Sequence, residues 1–175
     1  MRTVLLLSAF AVSVALPAQA GTAWNAIAAA PQPAVGYDEG ADGKVVITCD
    51  DNRGLHTYTL AISAPAQTLK DSDWVQVKVA GKTLGMTVSV DADGTATLIA
   101  SSSTTRYRDN EAPGSGADVY DAVAAMKGSS SIGISSGDFR MTVPGAGLDA
   151  ALADAVATCG DPHKLAEKVR ARSQS

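Results

Sequence analysis

Residues 118–160, DVYDAVAAMKGSSSIGISSGDFRMTVPGAGLDAALADAVATCG, decide the fold class. They read as helix, strand, turn, strand, helix. Asp118 follows the Gly114-Ser115-Gly116 breaker and is placed to cap the first helix, with Asp121 near its positive end. Val119, Val123 and Met126 recur at helical spacing, and Gly128 ends the run. Residues 131–135 and 139–143 are short strands around a Gly137-Asp138 turn, and Pro144-Gly145 stops the second. Leu148, Leu152, Val156 and Cys159 then share one face of a second helix that Gly160 closes. Cys159 therefore points inward with Leu152 and Val156.

Toward the N-terminus the pattern is strand after strand. Residues 44–49 are rich in Val and Ile, 50–54 (DDNRG) form a turn cluster, and 55–62 alternate weakly. In residues 74–79, Val75, Val77 and Val79 take one face and Gln76 and Lys78 the other. Leu84, Met86, Val88 and Val90 share a face, Asp91-Ala92-Asp93-Gly94 turns the chain, and 95–101 return. Five strands in meander order, with the two of the hairpin, make about seven, mostly antiparallel. The fold expected is mainly β with α (α+β). It is an antiparallel β-sandwich or partly open barrel carrying a helix–hairpin–helix C-terminal unit, with residues 44–160 as a single domain.

The flanks differ in character. Residues 1–20 read as a signal peptide: Arg2, an apolar core over 4–16, Pro17, then an Ala18-Gln19-Ala20 cleavage site. The expected location is periplasmic or secreted, with no transmembrane segment in the mature chain. Residues 21–43, rich in Ala, Pro and Gly, read as a loosely ordered N-terminal arm in which Trp24 and Ile27 either anchor a short helical turn or are incidental. Residues 161–175 open with Asp161-Pro162, a good helix start, and continue as a basic tail carrying Lys164, Lys168, Arg170 and Arg172. That tail reads as a solvated, fraying helix.

Net charge is −4, and the few aromatics give no stacking platform, which argues against nucleic-acid binding. Two cysteines in an exported chain point to one bridge, Cys49 to Cys159, worth ~4–5 kcal/mol in the chain-entropy picture. No C-x-x-C or paired His at metal-ligand spacing occurs, and no enzyme, cofactor or metal is expected. His56 with Asp50 or Asp51 reads as a hydrogen-bonded strand histidine rather than part of a triad. The longest polar stretch, residues 101–116, either carries binding or is a plain connection with Tyr107 packed on the sheet. Within it Arg106 and Arg108 flank Tyr107, a pair of planar donors and a rigid ring suited to an acidic protein partner.

Two partial resemblances add to this reading. A short helix ending Lys127-Gly128, a strand, a strand ending Val143-Pro144-Gly145, and then Leu148-Asp149-Ala150-Ala151-Leu152 are similar to the C-terminal half of the invasion-associated locus B family of secreted bacterial proteins. That resemblance implies a non-enzymatic envelope β-protein acting as an interaction or binding module. Ile47-Thr48-Cys49-Asp50 with Leu55, and Ser103-Thr104-Thr105-Arg106-Tyr107, resemble elements of the periplasmic C-type lysozyme inhibitors. This second resemblance implies inhibition of a cell-wall hydrolase through residues 101–110, with Ser103, Arg106 and Tyr107 in its cleft and Lys127 matching a basic residue of a later element.

Overall fold

The computed structural model describes residues 23–27, 32–38, 43–52, 55–65, 74–91, 94–102 and 116–173. The expected signal peptide lies outside them, as do Ser103, Arg106, Tyr107 and Arg108. A period of two in side-chain polarity builds the described part. Val45, Ile47 and Cys49 are fully buried on one face of their strand, as are Tyr58, Leu60 and Ile62 on the next. The same inward face continues through Val77 and Val79, Leu84 and Met86, Ala96 and Leu98, Ile132 and Ile134, and Val143. All join one hydrophobic core.

The strands are β1 (Asn25–Ala26), β2 (Ala34–Asp38), β3 (Lys44–Asn52), β4 (Leu55–Pro65), β5 (Trp74–Val79), β6 (Lys82–Val90), β7 (Thr95–Ser101), β8 (Ser131–Ser136) and β9 (Phe139–Pro144). The helices are α1 (Gly116–Met126), α2 (Leu148–Ala151), α3 (Ala153–Cys159) and α4 (Pro162–Ser173). Every strand pairing is antiparallel, in the order β1-β2-β3-β4-β7-β6-β5-β8-β9.

This corrects several expectations. The described strands number nine rather than about seven, because the presumed arm contributes β1 and β2. Strand β2 pairs with β3 over its whole length, from Ala34 opposite Thr48 to Asp38 opposite Lys44. The order is no plain meander, since β4 pairs with β7 and β5 pairs with β8. The Gly137-Asp138 turn closes β8 and β9 with Ser136 opposite Phe139, but the hairpin is the end of the common sheet and not a separate unit. The expected second helix is broken at Leu152 into α2 and α3, although Leu148, Leu152 and Cys159 are all buried as its spacing requires. Helix α1 begins at Gly116, which puts Asp118 in its first turn rather than at its cap.

The described strands form one sheet, which curls into a half-barrel around the core, in keeping with the partly open barrel rather than the sandwich of the two expected forms. A side chain beside one edge reaches the backbone of the other. Trp24, just before β1, is buried, and its Nε1–H donates to the carbonyl of Pro144 at the end of β9, 2.7 Å away. The Trp24 ring also packs against Tyr37 of β2, with centroids 5.7 Å apart. Beyond β9 the chain runs so close to residue 129 that a Cβ at Gly145 would lie 1.7 Å from the Ser129 carbonyl oxygen, so only glycine fits.

The helices lie against the sheet and one another. Helix α1 packs on β4, β6 and β7, and α3 on β3 and β4. Helix α4 lies along α1, which corrects the reading of residues 161–175 as a solvated tail: Pro162 and Ala166 are buried and Leu165 and Val169 half-buried. Its apolar stripe is thin because a single helix covers it. Two ion pairs hold the antiparallel pair, Arg170 to Asp121 at one end and Lys127 to Asp161 (3.2 Å) at the other.

Asp161 is also the cap of α4. Its Oδ1 accepts the backbone N–H of His163 at 3.0 Å and of Lys164 at 3.3 Å, with Pro162 at the first helical position. Burial opposes its charge, but the Lys127 hydrogen bond and charge and the two backbone donors outweigh that, so its carboxyl is held below the ordinary aspartate range. A carboxyl whose folded pKa is depressed stabilises the fold above its unfolded pKa of about 3.9, and that contribution is lost as pH falls through the folded value. Asp161→Ala is expected to destabilise by about 1 kcal/mol at pH 7, a figure set by the cap because the group is partly exposed. Denaturant unfolding at both ends of the pH range tests it. The gap between wild type and variant should close as pH drops below about 4, and an equal gap at acid and neutral pH would refute the assignment.

Candidate functional site

The end of the sheet where the chain leaves for residues 103–115 is braced by hydrogen bonds and the disulfide. The bracing follows from local sequence. Strand β3 runs on to Asn52 and β4 starts at Leu55, and their register sets Asp51 opposite His56, Asp50 opposite Thr57 and Cys49 opposite Tyr58. Cys49 and Tyr58 consequently face inward side by side, at the level where α3 ends.

Cys49 and Cys159 form the predicted disulfide, with Cα atoms 6.1 Å apart. It ties the third strand to the last turn of α3. Tyr58 completes the tie: its hydroxyl donates to the carbonyl of Gly160 at 2.9 Å, and its ring stands edge-on to Tyr120 of α1 at 6.1 Å and 84°. The Tyr120 hydroxyl in turn donates to the carbonyl of His56 at 2.6 Å. Burial, the Asp161 charge and the neighbouring Tyr120 all push the Tyr58 phenol well above the usual tyrosine range, so it remains a protonated donor.

Ser102 is the last described residue before the polar segment, and it is buried. Its N–H donates to the Tyr58 carbonyl and its Oγ accepts the Tyr58 N–H, both at 2.9 Å. One strand residue is thus bonded twice to Ser102, which fixes the departure point. Thr59 Oγ1 donates to Ser101 Oγ at 3.2 Å beside it. The segment returns at Gly116, four residues before Tyr120 and its bond to β4. Both ends of residues 103–115 are therefore set on one rigid patch.

Asp51 and His56 follow Cys49 and Tyr58 on the same face toward the strand ends, with Asp51 exposed and His56 half-buried. His56 Nδ1 is 3.5 Å from Asp51 Oδ1, close enough for an ion pair when the imidazole is protonated, but Nδ1 makes no hydrogen bond. The Ser102 hydroxyl already accepts from Tyr58. Among the described residues no group of three or more His, Cys, Asp and Glu side chains converges on a metal-sized site, and no helix is long and apolar enough to cross a membrane.

Of the residues singled out from sequence, Cys49 and Cys159 are brought together here. Lys127 lies at the end of α1, bonded to Asp161, and Ser103, Arg106, Tyr107 and Arg108 fall outside the described residues. Sequence reading missed Tyr58, Tyr120 and Ser102, whose partners lie far along the chain. The Asp51–His56 pairing alone had a local signal, the turn cluster read over residues 50–54.

Fold and site together define a class: a disulfide-tied, curled antiparallel sheet with helices packed against it. No family model, curated protein or solved structure matches the chain.

Proposed function

We propose that this is an exported, non-enzymatic binding module of the cell envelope, periplasmic or secreted once residues 1–20 are removed, which recognises an acidic protein partner through residues 101–110. Arg106 and Arg108 supply planar donors to carboxylates, Tyr107 supplies rigid contact area, and Ser103 adds a hydroxyl. The observation that supports the reading is the bracing of Ser102 by Tyr58, which is in turn tied to the Cys49–Cys159 end of α3. A rigid base lowers the ordering cost of whatever it presents. The disulfide suits an oxidising compartment. Inhibition of a C-type lysozyme is a narrower form of the same reading, but it draws no support from Lys127, whose ammonium is bonded to Asp161.

The test is capture of envelope proteins by the mature chain. Arg106→Ala with Tyr107→Ala is expected to abolish capture and leave the melting temperature within about 2 °C of wild type, since neither residue belongs to the described core. Capture of the same partners by the double variant would overturn the proposal. A lysozyme inhibition assay on both proteins then decides whether a hydrolase is the partner.

A further inference from the structure

On the outer face of the sheet, β5, β8 and β9 enclose a cleft of about 280 Å³ that is open to solvent. Its lining is Lys78, Gly81, Gly133, Ile134, Ser135, Arg140, Met141 and Thr142. Register explains its chemistry. Lys78 of β5 stands opposite Ser135 of β8, and Ser135 stands opposite Arg140 of β9. These three therefore form one row across three strands, with the two cations' Cα atoms about 10 Å apart and a hydroxyl between them. The next row on this face is Gly133 opposite Thr142, beside the Ala80-Gly81 turn, where Ala80 N–H donates to the Gly133 carbonyl at 3.0 Å.

Two glycines make this a hollow. A Cβ built on Gly133 or on Gly81 would meet nothing within 4 Å. Gly81 sits at φ +80° in its turn, so its conformation accounts for it, but Gly133 has no positive φ to require glycine. A mid-strand glycine without a conformational reason marks a place where something approaches the backbone. The walls are cationic and hydroxylic, and no carboxylate lines them. Arg140 is pre-set: its Nη1 donates to the carbonyls of Gly137 and, at 2.7 Å, Phe139. That fixes the guanidinium plane and leaves the Nε–H and Nη2–H donors of the fork uncommitted among the described residues. Lys78 is exposed and has no ion-pair partner among the described residues.

We propose that this cleft is a binding site for a small oxyanion ligand, a carboxylate or phosphate carried on a body of about monosaccharide size. The oxyanion sits over Ser135 between Lys78 and Arg140, and the uncharged body lies on the Gly133–Gly81 floor beside Thr142. A cleft of this size is at the low end for ligand sites, which suits a sugar acid or sugar phosphate better than a polymer. The site uses none of the loop residues, so it stands or falls independently of the partner-binding reading.

The test is an NMR titration of the isotope-labelled protein at constant ionic strength with glucuronate, glucose 6-phosphate, inorganic phosphate and, as the neutral control, glucose. Saturable shifts are expected at the amides of Gly81, Gly133, Ser135 and Thr142 with the charged sugars and not with glucose. The relative strength of glucuronate and glucose 6-phosphate tells which oxyanion is preferred, and inorganic phosphate tells how much the sugar body adds. Lys78→Gln with Arg140→Gln should weaken the response at least about tenfold, the loss expected for removing charge-assisted bonds. Gly133→Val should abolish it by filling the floor, with the melting temperature unchanged or raised. No saturation by about 10 mM, shifts located elsewhere, or an unchanged response in the variants would overturn the proposal and leave Lys78 and Arg140 as solvating charges near the edge of the sheet.

Discussion

Cys159→Ser is expected to lower the unfolding free energy by about 4–5 kcal/mol, and reduction of the intact protein should do nearly the same. The bridge spans a sequence separation of 110 residues, so opening it returns to the unfolded chain the freedom of a very long loop. Both cysteines are buried, so the variant also leaves a serine hydroxyl and a thiol in the core. Helix α3 would then be held to β3 and β4 by apolar packing and the Tyr58–Gly160 hydrogen bond alone. Small domains are stable by only about 5–15 kcal/mol, so the variant should approach the limit of folding at physiological temperature. Urea unfolding with and without reductant measures the effect. A change below about 1 kcal/mol would mean the bridge contributes no stability of the kind its loop length requires.

Trp24→Ala is expected to cost about 3–5 kcal/mol, the range for deleting a buried aromatic side chain. Trp24 belongs to a stretch whose composition suggests a dispensable leader, and for such a leader the same change would be neutral. Its ring instead fills the space beside Tyr37 and its Nε1–H ties the first edge of the sheet to the last through Pro144. Trp24→Phe separates the two contributions. It keeps most of the apolar contact and leaves the Pro144 carbonyl without its donor, for a loss of about 1–2 kcal/mol. Thermal or chemical unfolding of the two variants supplies the measurement. If Trp24→Ala unfolds with wild type, the half-barrel does not depend on its seam.

The two substitutions also mark how far the sequence could be read. Cys49 and Cys159 were legible as a pair because there are only two cysteines, both on inward-facing positions. Val75, Val77 and Val79 announced their buried face through a period of two, Gly137-Asp138 announced a hairpin, and Asp161-Pro162 announced the start of α4. Apart from the cysteine pair, which rests on count, each of these signals is carried by residues within a turn or a strand of one another. The bracing of the site was not legible: Tyr58 meets Ser102 across 44 residues and Gly160 across 102, and hydroxyl groups give no periodic trace.

The sequence by itself determined the two-sided pattern of β5 and most of β6, the β-rich class, and the covalent tie. The tertiary structure alone decided which strands are neighbours. Alternation is the same for a strand beside β4 as for one beside β8, so nothing local told β5 from β7 as the partner of β4. The same holds for Trp24, whose acceptor lies 120 residues away, and for α4, whose thin stripe looks like solvated surface until α1 is laid against it. It holds as well for the row of Lys78, Ser135 and Arg140, which exists only once β5 and β8 pair. Periodicity records a side chain's orientation relative to its own backbone; the choice of neighbour depends on pairing and burial summed over the whole chain, which no single segment contains.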